Sequence, residues 1–214
     1  MLRKSAQLGF NLIEIAIAMV VLAILIALGA PTFGDWLQNQ QTRAATEATL
    51  NGLQVARAEA VRRNGQVRFQ FVSNLTASCV LSTATLNWVV SVGDPTGKCD
   101  QSIELATPGP VIQSKSAQEL SPNATLVVVP AGPPVSFVTF NELGGVVSPN
   151  SDGSQAITQI DVCNPAITSP SARPLRVMVS SGGSIRMCDT QAVAPDARAC
   201  PIVPPATTVP PSAC

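Results

Sequence analysis

The feature that most constrains the fold is an apolar stretch near the N-terminus. Every residue from position 15 to position 28 is apolar, and the wider segment 10–30 contains only three exceptions, Asn11, Glu14 and Gly29. A helix needs about 20 predominantly apolar residues to cross the hydrocarbon core of a membrane. The sequence therefore predicts a transmembrane helix over residues 10–30.

A short leader, residues 1–9, precedes the apolar stretch and contains Arg3 and Lys4. Basic residues beside a membrane helix stay on the cytoplasmic side, so the C-terminal bulk of the chain is expected on the other side. An ordinary signal peptide is the alternative, with residues 28–30 as a weak cleavage site. Glu14 argues against this alternative, because an ionisable group within an apolar span is costly and usually marks function.

The end of the leader resembles the class III signal of type IV prepilins. The segment GFNLIE (9–14) follows a basic leader and opens the apolar stretch, although Asn11 replaces the more usual threonine. The resemblance implies that a prepilin peptidase in the membrane cleaves between Gly9 and Phe10 and methylates the new N-terminus at Phe10. It also implies that Glu14 guides the subunit into the fibre.

The position of Glu14 also has a physical explanation. A subunit that leaves the bilayer can pack its apolar helix against those of its neighbours in a filament core. An unpaired carboxylate in that core would be costly, so Glu14 is expected to pair with the α-amino group of Phe10 in the neighbouring subunit. The axial step of the fibre would then be set by one ion pair.

Residues 31–64 are expected to extend the helix beyond the membrane, and Pro31 lies where many pilins have a helix-bending proline. Small residues recur every three or four positions and form a face that allows close packing, namely Ala45, Ala48, Gly52, Ala56 and Ala60. Larger packing groups are expected on this helix at Leu50, Leu53 and Val61. Asn64-Gly65 is predicted to end the helix.

The segment VARAEAVRRNGQVRF (55–69) resembles the end of the long helix in the GspH/FimT branch of the pilin family. In that branch the helix runs straight into the first strand. The resemblance narrows the class to GspH/FimT/FimU-like minor pilins and pseudopilins.

Beyond residue 65 the chain is rich in Ser, Thr, Val, Gly and Pro, which is typical of short strands joined by turns. Strands are predicted over residues 66–73, 79–81, 87–92, 125–129, 135–140, 156–163, 174–180 and 184–188. Ser181-Gly182-Gly183 is predicted to form a hairpin turn between the last two. The expected fold class is α+β, a pilin fold in which the long transmembrane-plus-amphipathic helix packs on an antiparallel β-sheet head (65–200). An extended proline-rich tail (201–214) follows the head.

All six cysteines lie in this turn-rich part: Cys79, Cys99, Cys163, Cys188, Cys200 and Cys214. An even number in one region predicts disulfides and an oxidising compartment. A metal site is not expected, because there is no Cys-x-x-Cys spacing and no His. Cys79 and Cys99 are predicted to pair, since they bracket a hairpin expected around Trp88. The other four cysteines allow three connectivities.

Two groups of arginines could contact the phosphates of a nucleic acid. The group Arg57, Arg62, Arg63 and Arg68 is more simply a solvated helix face, balanced in part by Glu59. The second group, at the C-terminal hairpin, is Arg173, Arg176, Arg186 and Arg198. FimT-type pilins that capture DNA have a Gly-Arg-x-Arg motif near this place, whereas this chain reads GSIR (183–186). Thirteen basic and thirteen acidic residues cancel, so nucleic-acid binding is not expected.

Catalysis is not expected either. The chain has no His to activate a serine, no Gly-x-Ser-x-Gly segment and no glycine-rich phosphate loop before a helix, and no cofactor is implied. The resemblance implies a structural minor pilin that helps to prime or cap a type IV pilus. Its expected partners are other minor and major pilins, the prepilin peptidase and the inner-membrane assembly platform.

The expected location is a single pass through the inner membrane with the head in the periplasm, and later the pilus fibre, where the tip is one candidate position. Two other functions stay open. One is a pseudopilin of a type II secretion system, and the other is a DNA-binding receptor pilin for natural transformation.

Overall fold

The computed structural model describes residues 11–104, 109–129, 137–167 and 170–201, apart from the side chains of residues 28–32 and 120. Over these ranges the elements follow in the order α1 (Leu12–Arg63), β1 (Val67–Phe71), β2 (Trp88–Ser91), β3 (Val111–Lys115), α2 (Ala117–Leu120), β4 (Thr125–Val129), β5 (Phe137–Phe140), β6 (Val146–Val147), β7 (Gln159–Cys163), β8 (Leu175–Val179) and β9 (Ile185–Asp189). The α+β class predicted from the sequence is confirmed.

The strands form two antiparallel sheets. The first has five strands in the order β3-β2-β1-β5-β6, and the second has four in the order β4-β7-β8-β9. Strand β1 lies between β2 and β5, with Arg68 opposite Ser91 on one side and opposite Thr139 on the other. Strands β7, β8 and β9 follow one another as neighbours, which makes the second sheet largely a meander.

One hydrophobic core joins α1 to both sheets. The helix contributes the buried residues Ala45, Leu53, Ala56 and Ala60. The first sheet contributes aromatic side chains, among them Phe69 and Trp88, and the second contributes aliphatic ones such as Ile160 and Val177. Alternate residues of β1 and β2 face the helix, and the first sheet is also buried on its other face, for example at Val89.

The predicted small-residue face of α1 is the face that packs. Gly52 is buried so close to the first sheet that a Cβ atom there would lie 2.9 Å from both Phe69 and Trp88. Larger residues would hold the helix away from these rings. One expectation was wrong, because Val61 does not join the core but is 52% exposed.

The predicted end of α1 and the predicted turn of the β8–β9 hairpin are both confirmed. Asn64 adopts a left-handed conformation with φ of 49°, and the Gly65 N–H donates to the Ala60 carbonyl at 3.1 Å, which closes the end of α1. In the β8–β9 hairpin, Gly183 has φ of 77° and donates its N–H to the Ser180 carbonyl at 2.8 Å.

Two details of the predicted strands differ from the structure. Residues 79–81 form no strand, and Leu81 makes only an isolated bridge to Val72. The hairpin expected between Cys79 and Cys99 is therefore wrong, and the strand that contains Trp88 pairs instead with β1 and β3. Strands β3 and β6 and the short helix α2 were not predicted.

Two disulfides are described. Cys79 bonds to Cys99, the pairing predicted from the sequence, and Cys188 bonds to Cys200. The second bond excludes two of the three connectivities left open for the remaining four cysteines. Cys163 is also disulfide-bonded, while Cys214 lies outside the described residues.

The chain divides into two compact units, Met1–Leu37 and Gln38–Cys214. Within the part of the chain that the structure describes, no helix meets the length and apolarity needed to cross a membrane. The transmembrane helix predicted over residues 10–30 is thus not confirmed.

Candidate assembly helix and C-terminal arginine cluster

The first candidate site is the N-terminal part of α1. Gly9 and Phe10, the predicted cleavage and methylation site, lie outside the described residues. The helix begins at Leu12, where the Asn11 carbonyl accepts hydrogen bonds from the N–H groups of Glu14 at 3.0 Å and Ile15 at 3.2 Å. The Glu14 side chain is exposed in the first turn of the helix, where the positive end of the helix dipole favours a carboxylate.

The apolar side chains that follow Glu14 are also exposed. The large residues between Leu12 and Ile26 that lie on the surface range in exposure from 46% at Ile15 to 84% at Leu12. They occur on all sides of this part of the helix. Exposed apolar patches of this extent mark interaction with protein or membrane.

The part of α1 in the second unit is fixed by polar contacts as well as by the core. Thr42, Thr46 and Thr49 are buried, and each hydroxyl donates to the carbonyl four residues earlier. Asn39 is held to the loop before β8, because its amide donates to the Ser171 carbonyl at 2.8 Å and accepts from the Arg173 N–H at 3.0 Å.

The second candidate site is the arginine cluster at the C-terminal hairpin, Arg173, Arg176, Arg186 and Arg198. Arg176 on β8 makes a bidentate ion pair with Asp161, directly opposite on β7, at 2.6 and 2.8 Å. Only 14% of the Arg176 side chain and 9% of the Asp161 side chain are exposed. This arginine is therefore neutralised and largely inaccessible to a phosphate.

Two other members of the cluster are also engaged. One Nη atom of Arg173 donates to the carbonyls of Pro170 and Ala172 and to the Gln191 side chain. Arg198 pairs with Asp196 at 2.8 Å, and its hydrogen bond lowers the pKa of the Asp196 carboxyl to about 2. Arg186 is exposed and, within the described ranges, has no hydrogen bond or ion pair.

Two arginines of the first group share one acid on the helix. Arg62 and Arg63 both bind Glu59, at 2.6 and 2.7 Å. The hydrogen bond from Arg62 and then that from Arg63 lower the pKa of the Glu59 carboxyl from 4.5 to about 2, against the opposing effect of burial. Arg57 donates to the Gly144 carbonyl at 3.1 Å. Glu59 thus offsets part of the charge of this helix face.

Arg68 has a different environment from the helical arginines. Its guanidinium lies 4.1 Å from the centre of the Phe137 ring, and its side chain donates to the Ser151 hydroxyl at 3.1 Å. Asp94 lies 3.6 Å away. The side chain is thus held against the first sheet and does not extend the helical arginine group into one basic patch.

These contacts join elements of the fold to one another. Among the residues that the structure describes, no group of Cys, Asp or Glu is placed to hold a metal ion. A long helix with an exposed apolar N-terminal part, and with its later part packed on antiparallel sheets that carry disulfides, defines a pilin-like protein. Residues 45–183 match the model of the family described as type II transport protein GspH, and the chain belongs to this family. The resemblance found in residues 55–69 is confirmed.

Two solved structures are similar to this chain, both of the type IV minor pilin FimU from Pseudomonas aeruginosa strain PAO1. The crystal form in space group P21 shares 17% identity, with a TM-score of 0.44 over 73% of this chain and 98% of that one. The form in space group P65 also shares 17% identity, with a TM-score of 0.41 over 70% and 98% of the two chains. None of the curated proteins compared with the chain matches it.

Proposed function

We propose that this chain is a minor pilin of a type IV pilus, processed by a prepilin peptidase and inserted among other pilins to prime or cap the fibre. The observation that carries the proposal is the contrast along α1. Residues such as Ala45 and Leu53 are fully buried under the sheets, whereas the apolar residues between Leu12 and Ile26 are exposed. The exposed part needs an apolar environment outside its own chain, which a bilayer and then the helices of neighbouring subunits would provide.

In the proposed fibre, Glu14 would set the axial position of each helix relative to its neighbour. Its carboxylate is exposed at the start of α1, and in a bundle of apolar helices it would need a cation. The methylated α-amino group of Phe10 in an adjacent subunit is the proposed partner. Other minor and major pilins are thus proposed to bind through the N-terminal helix, after the chain leaves the inner membrane and its assembly platform.

A pseudopilin of a type II secretion system is the second candidate, and the description of the matched family as a type II transport protein favours it. Both candidates use the same helix and head, so a phenotype must separate them. Deletion of the gene should be scored together for surface piliation, protein secretion and DNA uptake. Loss of pili with normal secretion supports the minor-pilin function. Loss of secretion alone would show that the chain is a pseudopilin instead.

Substitution of Gly9 by leucine tests the processing step. The peptidase must approach the backbone closely at the cleavage point, and a bulky side chain there is expected to block it. The precursor should accumulate at full size in the membrane fraction, as read by immunoblotting and by mass spectrometry of the N-terminus. A matched Leu8→Ala variant, one residue earlier in the leader, should be cleaved. A Gly9→Leu protein with a normal mature N-terminus would contradict the prepilin assignment.

Binding of duplex DNA is expected to be weaker than about 1 µM at about 0.15 M salt. Arg173, Arg176 and Arg198 are engaged by protein groups, so within this cluster, among the residues that the structure describes, Arg186 alone is left to contact a phosphate. Fluorescence anisotropy with a labelled duplex, over a range of salt concentrations, measures this affinity. A sub-micromolar complex at that salt, lost in Arg186→Ala and kept in Arg43→Ala, would favour the DNA-receptor function instead.

A further inference from the structure

Two exposed aromatic side chains lie on α1 just beyond the apolar stretch, and the proposed pairing of Glu14 does not use them. Phe33 is 64% exposed and Trp36 is 54% exposed. Their rings stack with centroids 5.7 Å apart. Leu37 shares this face, because residues three and four apart are neighbours on a helix. We refer to Phe33, Trp36 and Leu37 as the aromatic patch.

The aromatic patch lies where the composition of the helix changes abruptly. The four residues after it, 38–41, read QNQQ, and the first basic residue beyond the leader is Arg43. Asp35 lies within the same turn as the two aromatic residues. Tryptophan is concentrated where an apolar phase meets water, because its ring is apolar and its N–H is polar. The patch thus has the composition of a membrane–water interface rather than of a protein core.

The length of the helix also suits such an interface. At 1.5 Å per residue, Phe33 lies about 32 Å from Leu12 along the axis of α1. The hydrocarbon core of a typical bilayer is about 30 Å thick. A helix with its first turn at one interface would therefore bring Phe33 and Trp36 to the opposite one. The basic leader residues Arg3 and Lys4 fix the first turn on the cytoplasmic side.

We propose that the aromatic patch anchors the chain at the outer membrane–water interface of the bilayer, with Phe33 and Trp36 among the lipid headgroups, before the chain enters a fibre. The inference rests on the proposed function, since it requires the N-terminal helix to be inserted in the inner membrane. It goes beyond that function by assigning the aromatic patch as an interaction surface and lipid headgroups as its partner.

The anchor has a consequence for the assembly residue. With Phe33 at the outer interface, Glu14 lies about 28 Å away along the helix axis, at 1.5 Å per residue. That distance puts the carboxylate near the cytoplasmic edge of the hydrocarbon core, where a charge costs much less than at the centre. The patch thus holds Glu14 near this edge of the membrane while the subunit waits for assembly.

The two tryptophans of the chain allow a direct test, because Trp88 is only 1% exposed in the core whereas Trp36 is in the patch. The full-length protein would be reconstituted in vesicles of phosphatidylethanolamine and phosphatidylglycerol. Bromine labels would be placed either near the headgroup end or near the far end of the lipid acyl chains. We expect loss of Trp36 emission with the shallow label, and a smaller loss with the deep label. Trp36→Phe, which keeps only Trp88, should lose almost no emission with either label.

Vesicle flotation in the same samples separates the inference from the function on which it rests. If the protein floats with the vesicles but Trp36 is unquenched, or is quenched more by the deep label, the anchor is wrong and membrane insertion stands. If Trp36 emission changes only as the protein-to-lipid ratio rises, the patch is a contact between copies and the anchor is again wrong. If the protein does not float, both the anchor and the membrane step of the proposed function fail.

Discussion

Glu14→Val is expected to leave the protein in the membrane and to remove it from fibres. The substitution deletes an acid from an apolar segment, so insertion should be unchanged or improved. In the fibre it would leave the α-amino group of a neighbouring Phe10 buried without its partner, and breaking a buried ion pair in this way costs about 3–5 kcal/mol. Since about 1.4 kcal/mol is a factor of ten, incorporation should fall by more than about 100-fold. The ratio of the subunit in sheared fibres to that in membranes measures the effect.

Two further variants separate charge from general damage to the helix. Glu14→Gln keeps the size of the side chain and one acceptor oxygen but not the charge, and it should also be excluded from fibres. Glu47→Val changes an acid on the same helix whose ion pair with Arg43 is on the surface, and exposed pairs of this kind contribute about 1 kcal/mol at most. This control should assemble nearly as the wild type does. Wild-type incorporation of both Glu14 variants would show that the carboxylate is not the assembly determinant.

The elements that could be predicted are those with a local physical cause. The end of α1 follows from Asn64 and Gly65, because few residues adopt the left-handed conformation that closes a helix. The β8–β9 hairpin follows from the glycines of its turn. The packing face of the helix follows from small residues at helical spacing. Each of these signals lies within a few residues of the structure that it determines.

The elements that were missed depend on partners far away in the chain. Strand β3 reads VIQSK and has only Val111 fully buried, so its sequence lacks both alternation and a dense apolar run. It forms because β2 offers a free edge to it. The strand predicted at 79–81 is wrong for a different reason. That segment is held in place by the Cys79–Cys99 disulfide, and it pairs with the first sheet only at Leu81.

Prediction of the candidate sites is limited in the same way, by partners that are distant in the sequence. The four C-terminal arginines could be found from the sequence. The acid that neutralises Arg176 is Asp161, fifteen residues earlier. The register of β7 against β8 creates this pair, and the loop between the strands does not reveal that register. The local signal was an acid between the apolar residues Ile160 and Val162 of the strand, since such an acid needs a partner. The roles of Gly9, Phe10 and Glu14 stay predictions from the sequence.

Gly52→Val is expected to destabilise the head strongly. A Cβ atom at position 52 would lie 2.9 Å from Phe69 and from two atoms of Trp88, and both rings are buried with their centroids 5.5 Å apart. Neither ring has free space to move into, because interiors are packed to the density of organic crystals. Overpacking costs about 1–3 kcal/mol, and two immobile rings put this variant at the upper end. For a domain of this size we expect the melting temperature to fall by about 6–12 °C.

Ala58→Val provides the matched control for this prediction. It places the same β-branched side chain on the same helix, but at an exposed position, so it should cost only the difference in helix propensity, less than about 1 kcal/mol. Thermal melts of both full-length proteins in detergent, followed by near-ultraviolet circular dichroism of the aromatic residues, compare them directly. A fall of equal size in both variants would mean that valine harms the helix itself. The close contact between Gly52 and the aromatic rings would then not be what limits the packing of α1 on the first sheet.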